Sequence, residues 1–129
     1  MSFTDAVRSG FRNWNKLGGR ASRSEFWFWY LFLIAVSFGY LFLYGALLSR
    51  LGVIASLLAV IVIVIGFVSI VPSFTMTVRR LHDTNRSGWW LLIALIPFGS
   101  LVILVFYCLD GTQGSNKYGD RPSTARPTP

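Results

Sequence analysis

Three stretches without a single Asp, Glu, Lys or Arg dominate this chain: residues 26–48, 51–78 and 87–109. They hold 74 of its 129 residues, so all 17 charged residues crowd into the remaining 55. A water-soluble fold cannot be written this way, because its surface elements need charges inside them as well as between them. Uncharged runs longer than about 18 residues are the mark of membrane helices. The pattern predicts an all-α membrane protein with three transmembrane helices, near 26–48, 51–78 and 87–109. It excludes a soluble enzyme, a disordered chain and a secreted disulfide scaffold.

The segments around the runs have their own grammar. Phe3, Val7, Phe11 and Trp14 share one helical face, with Arg8, Arg12 and Lys16 as a basic stripe beside it. Ser2-x-x-Asp5 reads as a capping box and Gly18-Gly19 as a stop, so residues 1–19 are expected to form a short interfacial amphipathic helix. Ser22-x-x-Glu25 is a second capping box ahead of the first run, and Trp27, Trp29 and Tyr30 read as an aromatic belt. The membrane domain is then 20–122. Ser49-Arg50 separates two long runs and implies a tight antiparallel hairpin. Pro72 is expected to kink the second helix, and Ser73, Thr75 and Thr77 to mark where it emerges. After Asp110 the chain is a polar tail rich in Gly, Pro, Ser and Thr, expected to be disordered over 123–129.

Charge asymmetry sets the orientation. Residues 1–25 carry five Lys or Arg, the first connection one (Arg50), the second three (Arg79, Arg80, Arg86) and the tail three (Lys117, Arg121, Arg126). A cytoplasmic N-terminus with three spans leaves eight inside and four outside. A re-entrant third run, bent at Pro97-Phe98-Gly99, would leave eleven inside and one outside. Each arm would then be only about ten residues long, and its bend would need burial in protein. Three full spans are the expectation.

In either topology Arg20, Arg23 and Glu25 come near Arg79, Arg80, His82, Asp83 and Arg86, with Trp89 and Trp90 beyond them. Arginine forks gathered between helices suit a phosphate or an anionic headgroup. The plainer role for the same residues is anchoring, with Glu25 and Asp83 pairing to neighbouring arginines. His82 beside Asp83 does not make a catalytic dyad, because adjacent helical residues point about 100° apart and no nucleophile motif accompanies them. One His and one Cys, Cys108, are too few for a transition-metal site and exclude an intrachain disulfide. The tail loop candidates are Gly111, Gly114, Asn116, Tyr118 and Gly119. That segment lacks the ligand spacing of a calcium loop and the following helix of a phosphate loop.

Three blocks resemble a known family: residues 19–27 (GRASRSEFW), 79–90 (RRLHDTNRSGWW) and 111–119 (GTQGSNKYG). The resemblance is to domain of unknown function 805, a group of small bacterial inner-membrane proteins, and covers roughly residues 10–122. Lys117-Tyr118 fits the family's third block, while its customary following proline is displaced to Pro122. The resemblance implies an inner-membrane location and a shared compact fold, and carries no reaction with it. It also implies that the polar blocks meet at the ends of the spans; the third could join only if the tail returned to the cytoplasmic side, against a three-span count.

The expected protein is therefore a non-enzymatic, multi-pass inner-membrane protein with a cytoplasmic N-terminus. Its expected partners are the bilayer, anionic lipid and further copies of itself, for which Ala35-x-x-x-Gly39 and Gly52-x-x-x-Ser56 offer small faces. Neither nucleic acid, cofactor nor metal is expected. The alternative is a membrane-embedded enzyme acting on a lipid headgroup or phosphate, with Asp83 or His82 as base. A transporter lacks a charged carrier inside the runs.

Overall fold

The structure, a computed structural model, describes residues 1–47 and 52–123. The hairpin turn expected at Ser49-Arg50 and the tail beyond Ser123 lie outside the described residues. Helix α1 is Phe3–Arg12, opened by the Ser2 side chain, which accepts a hydrogen bond from the Asp5 amide at 3.2 Å. The Ser2 hydroxyl also donates to the Asp5 carboxylate and holds that carboxyl below its ordinary range. The helix ends at Arg12, well before Gly18-Gly19. Asn13 caps it there, and its side-chain amide donates to the Ser9 carbonyl at 3.0 Å, offering the backbone an alternative to a further turn.

Helix α2, Arg23–Leu47, begins where Ser22 Oγ accepts from the Glu25 amide at 3.3 Å. Helix α3, Gly52–Asp83, continues past Pro72 for eleven residues, so the proline does not end it. These two helices are long and apolar enough to cross a membrane, about 37 and 48 Å at about 1.5 Å per residue. Only 11% of the most apolar stretch of each is buried. Phe42 and Val53 are 77% and 76% exposed, so these helices are not the enclosed core helices of a soluble protein.

The end of α3 explains the sequence that follows it. The Arg86 amide reaches back to the Leu81 carbonyl and the Asn85 amide to His82, with Asn85 at φ 59°. That is a Schellman cap, with asparagine in the left-handed position that glycine usually takes.

The expected third span near 87–109 is not one helix. Ser87 caps a 3₁₀ helix, Gly88–Leu95, and after a bend α4 follows as Gly99–Cys108, folded back against it. Pro97 is the physical cause: it forces the preceding Ile96 into extended geometry (φ −92°, ψ 140°) and supplies no amide. Phe98 then turns left-handed at φ 65°. Gly99 packs so closely that a Cβ there would sit 1.6 Å from the Ile93 carbonyl oxygen. Two helices of spanning length and a hairpin of two short helices replace the three spans, among the described residues.

The main buried cluster lies at one end of the bundle, with Ala55 buried apart from it near the start of α3. Ala21, Phe26, Trp29 and Met76 form that cluster, with Phe11, Tyr30, Phe32, Leu33 and Tyr107 packed around them. Trp29 is fully buried, donates Nε1–H to Ser73 Oγ at 3.1 Å, and so is a core residue and not part of a belt. Its ring lies against Gly10 of α1, where a Cβ would come within 2.2 Å of it. The hydroxyls of Thr75 and Thr77 are likewise turned inward, to the Trp14 carbonyl at 2.7 Å and to Tyr30 Oη at 2.9 Å.

Candidate functional site

Above this core the α1–α2 connection, the end of α3, the end of α4 and the tail close into one polar cap. Asp83, the last residue of α3, is its centre. Its carboxylate accepts from Arg20 Nε at 2.9 Å and, on the other oxygen, from Arg80 Nη1. Both arginines are buried, Arg20 at 5% exposure and Arg80 at 0%.

Arg80 has every donor engaged. Nε and Nη2 reach the Tyr107 carbonyl at 3.2 and 3.1 Å, Nη2 also the Leu109 carbonyl, and Nη1 the Ala21 carbonyl at 3.4 Å besides Asp83. Five N–H groups therefore make five hydrogen bonds. The Tyr107 and Leu109 carbonyls belong to the last turn of α4 and the residue that follows it, where no further helical amide remains to serve them. A cation at that point also opposes the helix dipole. Arg80 is the C-terminal cap of α4, supplied from α3.

Arg20 does the same for the tail. Nη1 donates to the Gly114 carbonyl at 2.6 Å and more weakly to Gly119 at 3.4 Å, and Nη2 to Thr112 at 2.6 Å. The Thr112 amide donates to the Asp83 carbonyl at 2.8 Å, and Gly111 lies directly on the Asp83 carboxylate. Asn116 shapes this loop: its side chain donates to the His82 carbonyl at 3.0 Å and accepts from the Tyr118 amide at 2.9 Å. The Tyr118 ring then stacks on His82, centroids 3.8 Å apart and planes 4° from parallel.

A second ion pair lies beside the first. Glu25, buried at the start of α2, accepts from Ser9 Oγ at 2.7 Å and pairs with Arg79 at 3.4 Å. Arg79 also donates to the Arg20 carbonyl at 3.1 Å, and the Ala21 amide donates to the Arg79 carbonyl at 3.0 Å. Glu25 is thus drawn away from its expected reciprocal role in the capping box. The cluster holds three guanidiniums, Arg20, Arg79 and Arg80, against two carboxylates, with carbonyl oxygens absorbing the excess.

Every tail candidate joins the cap: Gly111, Gly114, Asn116, Tyr118 and Gly119. Arg23 pairs with Asp110 in the open, and Arg86 lies 4.1 Å over the Phe106 ring. Trp89 and Trp90 do not take part; they are exposed on the 3₁₀ helix, Trp90 edge-on to Phe106. His82 and Asp83 turn to different partners, His82 Nδ1 lying 3.3 Å from the Gly19 carbonyl. Among the described residues no group of three or more His, Cys, Asp or Glu is placed to hold a metal ion.

Sequence reasoning missed Ser9, Thr112 and the Tyr107 and Leu109 carbonyls. Ser9 gave no local signal, because it lies opposite the apolar face of Phe3, Val7, Phe11 and Trp14, and the structure buries Ala6, Ser9 and Gly10 instead. The others act through backbone atoms, which side-chain patterns do not record.

A family model described as "Protein of unknown function (DUF805)" matches residues 14–120. The chain is 38% identical over 116 residues to "Inner membrane protein YhaI" of Escherichia coli K12, covering 88% of this chain and 92% of that protein. It is 39% identical over 113 residues to "Inner membrane protein YhaH" of the same strain, covering 86% and 90%. "Uncharacterized protein YiiR" of that strain is 31% identical over 127 residues, covering 78% and 82%. No solved structure matches.

Proposed function

The chain belongs to the DUF805 family of proteins of unknown function, and from that premise we propose that it is a multi-pass protein of the bacterial inner membrane acting by association with anionic lipid. Helices α2 and α3 cross the bilayer, and the hairpin of the 3₁₀ helix and α4 enters it and returns. The tail's hydrogen bonds to Arg20 support this topology, because they hold residues 112–119 at the end of the bundle where α2 begins. By sequence count that arrangement gives eleven Lys and Arg on the cytoplasmic side and one on the other, in line with the positive-inside rule.

The observation that carries the lipid assignment is the division of labour among the cations. Arg20 and Arg80 are enclosed and hold the cap together. Arg8, Arg12 and Lys16 are exposed around it, with exposed Phe3, Trp14 and Leu17 beside them. A basic fringe with interleaved aromatic and aliphatic side chains is what an anionic headgroup layer attracts. Within the cap, Arg86 is only partly covered and extends the same surface, whereas Arg79 is nearly enclosed beside Glu25.

The test is lipid copurification. Each exposed cation near the headgroups is worth roughly 1 kcal/mol, screened by salt. Replacing Arg8, Arg12 and Lys16 by Gln one after another should reduce copurified anionic lipid stepwise, and rising salt should do the same to the unaltered protein. Unchanged lipid composition in the triple variant, correctly inserted, would overturn the assignment.

A further inference from the structure

The bend between the 3₁₀ helix and α4 stands open. Leu95 and Phe98 are 83% and 80% exposed, and Pro97 and Ser100 are exposed beside them. In hydrocarbon, backbone that leaves helical geometry is tolerated only where protein or a water-filled cavity covers it. The chain's own α2 and α3 leave this bend open.

Between α2 and α3 lies a complementary feature. A groove of about 420 Å³ is lined by Leu33 and Ser37 of α2 and by Ile65, Gly66, Ser69 and Ser73 of α3, among others. Ser69 is 3% exposed, yet its hydroxyl has no hydrogen-bond partner. Gly66 has nothing within 4 Å of the place where a side chain would begin, so no contact inside the chain accounts for its smallness. Small residues on a membrane helix are suited to close approach by another segment.

The two features lie at one depth. Helices α3 and α4 both run toward the cap and are tied there by Arg80 on the Tyr107 carbonyl. At about 1.5 Å per residue, Phe98 lies about 14 Å below that tie, between Ser73 at about 10 Å and Ser69 at about 16 Å. Two copies of a membrane protein inserted the same way are related by an axis along the membrane normal, which preserves depth. Only features at matching depth can then meet, and in a twofold pair each copy offers both.

We propose that a second copy of this chain fills the groove with its bend: Phe98 enters between Ser73 and Ser69, and Ser69 donates to a backbone carbonyl of the bend. The arrangement is isologous, so two bends and two grooves are covered at once. It rests on the re-entrant topology proposed above, and the experiment separates the two.

Full-length protein with Cys108→Ser would carry Ser69→Cys and Phe98→Cys and be oxidised in native membranes. The pair should give roughly tenfold more crosslinked dimer than Leu57→Cys with Phe98→Cys, whose depths do not match. With native cysteines, Ser69→Leu should lower the dimer fraction in nanodiscs, and Phe98→Ala, which removes an exposed side chain and leaves the groove intact, should lower it as well. Absence of the crosslink together with a particle containing one chain overturns the dimer, and so does a monomer whose groove retains a lipid acyl chain. A membrane-impermeant thiol reagent against Lys16→Cys and Lys117→Cys reads topology alone. Labelling from opposite sides overturns the re-entrant arrangement; labelling from one side with no crosslink overturns only the dimer.

Discussion

The two ends of the α2–α3 pair are built by different rules. At the cap, residues 34 to 94 positions apart in sequence are joined by ion pairs and backbone hydrogen bonds through Arg20, Arg80, Asp83 and Asn116. Toward the other end the polar contacts are local: Ser37 donates to the Leu33 carbonyl and Ser56 to that of Gly52, each four residues back in its own helix. The cap specifies which segments meet, whereas the far helices need only be long and apolar. In lipid there is little hydrophobic force between helices, so positional information has to come from packing and polar contacts. This chain concentrates both at one end.

That contrast can be broken most severely at Asp83. Asp83→Asn removes the charge from a position shared by two buried arginines, and such losses cost about 3–5 kcal/mol. The amount of monodisperse protein in detergent, and its melting temperature, should fall sharply. Adding Arg20→Gln should restore part of the loss in a double-mutant cycle, because one uncompensated guanidinium is then gone. Additive losses would mean that the ion pair does not organise the cap.

Next in size is Gly10→Val. Its Cβ would enter the Trp29 ring, and overpacking of this sort costs about 1–3 kcal/mol. Tryptophan emission should shift as Trp29 is displaced, and thermal stability should drop. Ser2→Ala removes a helix cap and should cost about 1 kcal/mol locally. Hydrogen exchange in the first turn of α1 should quicken while the cap stays protected. Smallest of all is Phe42→Leu at the far end, expected within about 0.5 kcal/mol of the unaltered protein in the same melting measurement. A large effect there would mean that the far helices carry positional information too.

Much of this architecture was legible in the sequence. The uncharged runs give α2 and α3, Ser2 and Ser22 mark helix starts, and the residues of all three polar blocks do share one end of the bundle. Pro97-Phe98-Gly99 even named the place where the third run breaks. The weight given to its length was misplaced: 23 apolar residues are long enough to span, but a proline that forces Ile96 to be extended overrides length. Less legible was which way each arginine faces. Arg20 and Arg23 are three residues apart, yet one is enclosed by tail carbonyls and the other stands in the open. That difference is fixed by a segment some ninety residues downstream, and no local pattern around Arg20 encodes it. Trp29 likewise looks like its neighbour Trp27 until α1, with Gly10, is placed over it.

The ring of carbonyls around Arg20 also sets an order of events in time. Arg20 leaves the ribosome 94 residues ahead of Gly114, whose carbonyl it binds. At about 5–20 residues per second, its partner arrives roughly five to twenty seconds later. Arg80 waits a shorter time, 29 residues, for Leu109. Both long helices are therefore complete before either guanidinium can be enclosed. On the proposed topology their insertion is decided by the translocation machinery while the arginines still sit in water, and the cap is sealed only by segments made after both long helices.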